Sequence, residues 1–113
     1  MTTHRQHKVS RLLQKELGEY LQRSGSEFAG GKMITVTVVR ISPDLGVAKV
    51  YLSIFPGDGA EETVKKISEK AGLVRSEMGN RLRNQLRHIP QFAFFLDDSL
   101  DYIDRIEDLL NDE

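Results

Sequence analysis

The chain has 113 residues, 39% apolar and 29% charged, with no cysteine and no tryptophan. That length supports one domain with a single modest core, and the missing thiol excludes a disulfide scaffold, thiol catalysis and a Cys-ligated zinc site. The formal charge of −1 is the sum of two opposed blocks: residues 1–96 hold 15 Lys and Arg against 9 Asp and Glu, a net +6, whereas residues 97–113 hold Arg105 against eight acids, a net −7. A basic body attracts polyanions and an acidic end repels or screens them. No apolar run approaches the roughly 18 residues of a membrane helix. The amino-terminal run MTTHRQHKVSRLL lacks the apolar core of a secretory signal, so a soluble cytoplasmic protein is expected.

From about Arg5 to Gln22, the apolar residues Val9, Leu12, Leu13, Leu17, Tyr20 and Leu21 recur at spacings of three and four, which predicts an amphipathic helix. Ser24-Gly25-Ser26 and Gly30-Gly31 break it into a loop. Met33 to Ile41 is β-branched, and Ile34, Val36 and Val38 alternate against Thr35 and Thr37, predicting a strand with one buried face. Ser42-Pro43-Asp44-Leu45-Gly46 reads as a turn in which Pro fixes φ and Gly supplies the permissive position. Val47 to Phe55 follows as a second strand, completing an antiparallel hairpin.

Pro56-Gly57-Asp58-Gly59 ends the hairpin. A second helix is expected from about Ala60 to Lys70 through Val64 and Ile67. Gly72 interrupts the helical spacing, and a third helix is expected from about Leu73 to Arg87, burying Val74, Met78, Leu82 and Leu86, until Pro90 closes it. Gln91 to Leu96 is a third strand, aromatic in Phe92, Phe94 and Phe95. Ser99 is expected to cap a last short helix with Leu100, Ile103, Ile106 and Leu110 as its stripe. The order α-β-β-α-α-β, with helices packed on one face of a small sheet, is an α+β sandwich.

On the first helix, Lys8, Arg11 and Lys15 fall on one stripe about opposite the apolar face, with Glu16 and Glu19 on its flank. On the third, Arg83 and Arg87 are four apart and share a face, with Asn80 and Asn84 beside them. Arg and Asn side chains are donors that meet phosphates and unpaired base edges. Each stripe alone is what a plain solvated face also gives. Two in one small domain, with the acids gathered at the far end, point to nucleic acid. No helix-turn-helix or zinc-finger signature is present, so contacts to RNA backbone and shape fit better than duplex reading.

Three segments carry a resemblance: RQHKVSRLLQKELGEYLQR, the hairpin VVRISPDLGVAKVYLSIF, and GLVRSEMGNRLRNQLRHIPQFAFFLDDSL with its Ile-Pro step into an aromatic strand. Together they resemble ribosome-binding factor A, a bacterial family of small-subunit maturation factors. The resemblance implies a type II KH-like fold with a three-stranded sheet, and binding to free 30S subunits near the 5′ region of 16S rRNA during late maturation and rRNA processing. It also implies no catalytic residue, no metal and no cofactor.

The pattern has departures. Gly72-Leu73-Val74-Arg75 lacks the second glycine of a GXXG clamp. Of the family's Ala-x-Gly kink, only Gly72 fits within Lys70-Ala71-Gly72. The expected RNA-binding residues are Lys8, Arg11 and Lys15 on the first helix, Lys70 and Arg75 beside the Gly72 kink, and Arg81, Arg83 and Arg87 on the third helix. Residues 1–97 would form the KH-like RNA-binding domain and residues 98–113 an acidic amphipathic segment. The protein is expected to be a monomer, with ribosomal proteins as further partners.

Other motifs carry less. Asp97-Asp98-Ser99-Leu100-Asp101 spells D-D-x-x-D, a pattern that can hold Mg²⁺ on a diphosphate; carboxylates at a helix start explain it better. His4 and His7 are three apart near a helix end, and a metal site would want more ligands. Pro56-Gly57-Asp58-Gly59 lacks the Lys-Ser/Thr of a P-loop. Tyr51 on the outward side of the second strand is a lone candidate stacking residue. The alternative to RNA binding is a protein-interaction module using the acidic terminal helix or the open face of the hairpin.

Overall fold

The computed structural model describes residues 4–24 and 32–97. The Gly30-Gly31 loop and the acidic terminal helix expected from Ser99 lie outside them. Three helices and three strands run in the order α1 (His4–Arg23), β1 (Met33–Ile41), β2 (Val47–Phe55), α2 (Ala60–Glu69), α3 (Ala71–Leu82) and β3 (Gln91–Leu96). This is the expected α-β-β-α-α-β succession, and all three strands begin and end where their β-branched and aromatic runs do. β2 is central, antiparallel to β1 and parallel to β3. A parallel pair needs a crossover, and α2 with α3 supplies it. No helix among the described residues is long and apolar enough to cross a membrane.

All three helices cover the same face of the sheet, α1 against β1 and α2 with α3 against β3. The core forms between them. Leu13, Leu17 and Leu21 of α1 are fully buried, as are Ile67, Val74, Met78 and Leu82 from the helical pair. Ile34, Val50 and Leu52 meet them from the sheet. Leu12 and Tyr20 sit at the margin, half-buried. Gln6 is buried among these residues and donates from Nε2 to the Ile41 carbonyl at 2.9 Å, so its amide is satisfied where α1 crosses the end of β1.

In β1 the simple alternation fails after Val36. The pairing steps from Val36 opposite Leu52 to Val38 opposite Tyr51, so Thr37 is an extra residue in a β-bulge. A bulge moves every later side chain to the other face. Val38 is therefore 38% exposed rather than buried, while Val39 and Ile41 point into the core. The bulge is held on three sides. Gln14 Nε2 donates to the Thr37 carbonyl at 3.2 Å, and the Thr37 hydroxyl donates to the Asp97 carboxylate and lies 3.3 Å from the Tyr51 carbonyl oxygen.

The hairpin turn is built on Ser42 and Asp44. The Ser42 hydroxyl donates to Asp44 Oδ1 at 2.6 Å, the Gly46 N–H donates to the same oxygen at 2.9 Å, and the Val47 N–H donates back to Ser42 Oγ at 3.0 Å. The Ser42 hydroxyl first, and the Gly46 N–H second, hold the Asp44 carboxyl below its ordinary range. The left-handed position falls on Leu45, at φ 61°, and not on Gly46. The Leu45 side chain, held in this uncommon conformation for a residue with a Cβ, packs against the core margin.

Two boundaries in the crossover differ from expectation. The break between α2 and α3 falls at Lys70, at φ −105° and ψ 20°, whose N–H donates to the Ile67 carbonyl at 3.0 Å. Gly72 lies inside α3, with open space where a Cβ would stand, so it is not the kink. α3 also stops at Leu82 rather than Arg87. There the chain tightens into a turn, the Gln85 and Leu86 N–H groups both donating to the Leu82 carbonyl at 2.8 Å. It must reverse within a few residues to enter β3 beside β2, and that tertiary demand overrides the helical propensity of Arg83 to Arg87.

Candidate nucleic-acid interface

α1 places its basic residues as its spacing dictates. With Val9, Leu13, Leu17 and Leu21 inward, Lys8, Arg11 and Lys15 are exposed on the opposite side. They form a ridge between two sets of grooves. On one flank lies a groove of about 470 Å³, floored by Val9, Leu12, Leu45, Leu86 and Pro90 and rimmed by Arg5, Lys8, Arg87 and His88. On the other flank, two grooves of about 500 Å³ each run between α1 and β1. Arg11 borders both, Lys15 borders one, and His7 and Arg40 border the other. An apolar floor with a cationic rim accommodates a sugar or base edge while the cations meet phosphate.

The third-helix cations separate into different roles. Arg83 caps α3 and is exposed, whereas Arg87 lies beyond the helix, so the two do not share a helical face. Arg87 instead joins the α1 groove, and with His88 it also borders a groove of about 400 Å³ lined by Gly72, Arg75, Ser76 and Ile89. Basic side chains thus run from the start of α1, through the α3–β3 crossing, to the start of α3. Lys70 is exposed at that end.

Arg81 and Arg75 are structural. Arg81 Nη1 lies 3.5 Å from Glu16 Oε2, Nε donates to Glu77 Oε1 at 3.1 Å, and the guanidinium stands 5.5 Å from the Tyr20 ring centroid. It ties α3 to α1 and draws Glu16 away from the ridge. Arg75 donates from Nε at 3.1 Å and from Nη2 at 2.9 Å to the Ile89 carbonyl. Two donors on one carbonyl fix the residue before Pro90, and with it the adjoining Arg87 and His88. Arg75→Ala should cost about 1–3 kcal/mol, the scale of charged hydrogen bonds lost to a partly buried carbonyl. Thermal unfolding reads this loss, and Arg75→Lys should restore only part of it.

Sequence reasoning missed Arg5 and His88, which line the α1 groove. The signal for Arg5 is its place one turn before Val9, on the side of Lys8; His88 gains its place only from the chain reversal. Among the described residues, no three His, Asp or Glu side chains gather so as to hold a metal ion.

Comparison with known proteins places this geometry in a family. A model of the family described as ribosome-binding factor A matches residues 5–110. The ribosome-binding factor A of Christiangramia forsetii is 47% identical over 106 residues, covering 93% of this chain and 81% of that protein. That of Flavobacterium johnsoniae is 41% identical over 111 residues, covering 97% and 85%. The crystal structure of ribosome-binding factor A from Thermus thermophilus superposes with a TM-score of 0.67 at 22% identity, over 80% of this chain and 94% of that one. Coordinates of the Thermus thermophilus factor fitted into a cryo-EM map of a 30S–RbfA complex give a TM-score of 0.58 at 23% identity, over 77% and 93%. With the family model spanning nearly the whole chain and relatives above 40% identical along it, the protein belongs to the ribosome-binding factor A family.

Proposed function

We propose that the protein binds free 30S ribosomal subunits and assists their late maturation and 16S rRNA processing, contacting rRNA near its 5′ region without catalysis. The observation that carries this reading is the α1 ridge: Lys8, Arg11 and Lys15 exposed together, with a groove rimmed by Arg5, Arg87 and His88 on one side. Such a surface recognises a polyanion through its backbone and shape. Family membership supplies the ribosome as that polyanion, and the fitted Thermus thermophilus relative in a 30S complex supports the same partner.

Residues 1–97 act as the RNA-binding unit, and residues 98–113, with seven acids and one Arg, form the acidic segment that follows it in sequence. The mechanism is occupancy. Bound to an immature subunit as a cytoplasmic monomer, the protein stabilises one rRNA arrangement and blocks premature use of the subunit, and binding energy alone does this. The test is pelleting with free 30S subunits and with assembled 70S ribosomes. The protein is expected to pellet with the former and to stay largely in the supernatant with the latter; equal recovery with both would oppose the maturation role.

A further inference from the structure

The helices cover one face of the sheet, and the described residues leave side chains of the other face open. Its central row is Val38, Tyr51 and Phe95, register partners across the three strands. The Tyr51 and Phe95 rings stack with centroids 5.5 Å apart and planes 28° from parallel, and Phe95 is 42% exposed. In the next row Arg40 stands opposite Lys49. The Arg40 guanidinium reaches back to 5.9 Å from the Tyr51 ring centroid. The Thr37 bulge creates this arrangement, because continued alternation from Ile34 and Val36 would have turned Val38 and Arg40 inward.

Two cations directly opposite each other on neighbouring strands repel, and among the described residues neither Arg40 nor Lys49 makes an ion pair. Such a pair is stabilised by an anion that bridges it. Beside it lies an aromatic surface that offers a π-face and little directional hydrogen bonding. Adjacent cations and stacked rings on an open sheet suit a strand of alternating phosphates and flat bases. We infer that the outer face of the sheet is a second RNA contact that takes an unpaired segment, a base stacking on Tyr51 and Phe95 while Arg40 and Lys49 hold flanking phosphates. The inference rests on RNA being the partner proposed above. It adds to the α1 ridge the outer face of the sheet, which meets the α1–β1 groove at Arg40, as a surface that distinguishes unpaired from paired RNA.

The test titrates the full chain with a short oligouridine and with an RNA duplex of equal length. Tyr51→Ala should lose about tenfold or more in affinity for oligouridine, the effect of removing one base–aromatic stack, with duplex affinity and salt slope unchanged. Tyr51→Phe should keep the oligouridine affinity. Should Tyr51→Ala fail to fold, Arg40→Gln with Lys49→Gln serves instead, flattening the oligouridine slope by roughly 0.7 for each lost single-strand phosphate contact. Wild-type oligouridine affinity in a folded Tyr51→Ala protein would overturn the inference. So would Tyr51 and Phe95 ring signals that shift with a synthetic peptide of residues 98–113 and not with oligouridine. A parent chain that binds the duplex but not oligouridine defeats the platform alone, whereas a parent chain that binds neither RNA defeats the underlying RNA reading.

Discussion

Changing Lys8, Arg11 and Lys15 together to Ala is expected to weaken binding to free small subunits and to flatten its dependence on salt. Each neutralised single-strand phosphate contributes a log–log slope of roughly −0.7, so losing three contacts flattens the slope by about 2. Over an approximately fourfold rise in salt, the parent would then lose about twentyfold more affinity than the variant. The three side chains are exposed and opposite the core, so each change should move stability by no more than about 0.5 kcal/mol. The same positions changed to the alternative cation should keep most of the slope. Binding measured by fluorescence titration across a salt series separates these outcomes, and an unchanged slope in the triple variant would remove the ridge from the interface.

Leu17→Ala should produce the opposite pattern, a loss of fold with no direct loss of charge. Leu17 is fully buried at the middle of α1, between Leu13 and Leu21 on the stripe that seats the helix on β1. Removing its side chain costs about 2–5 kcal/mol through lost transfer energy and the residual cavity. That is a large share of the roughly 5–15 kcal/mol that holds a domain together. The midpoint of thermal unfolding should fall by on the order of 10–30 °C. At temperatures where the variant remains folded, its binding slope should match the parent's, because the ridge cations are intact.

The elements were legible because their signals are local. Met33 to Ile41, Val47 to Phe55 and Gln91 to Leu96 are runs whose composition names a strand, and each is a strand over those bounds. The α1 ridge was legible for the same reason, since 3.6-residue periodicity alone sets which side chains face away from Val9, Leu13 and Leu17.

What escaped depended on tertiary contacts. Nothing in Val36-Thr37-Val38 announces a bulge; it is fixed by Gln14 and Asp97, distant in sequence. The helical pattern through Leu86 is real, but Leu86 reaches the core margin from a turn after α3 has ended. Arg75 and Arg81 read as two more cations, yet one clamps Ile89 and the other binds Glu16 and Glu77. Composition gives a cation its charge; only the fold decides whether that charge is spent inside the molecule. The basic surface is accordingly narrower than the sequence implied, centred on α1 and joined by Arg5, Arg87 and His88.

The central claim is that this surface meets rRNA phosphates. It is tested most directly by the salt dependence of cosedimentation of the unmodified protein with free small subunits. Three ridge contacts at roughly −0.7 each predict a log–log slope of about −2 or steeper. A slope near zero, with the protein retained on subunits at high salt, would mean that apolar contacts rather than the ridge hold it there, and would contradict the account.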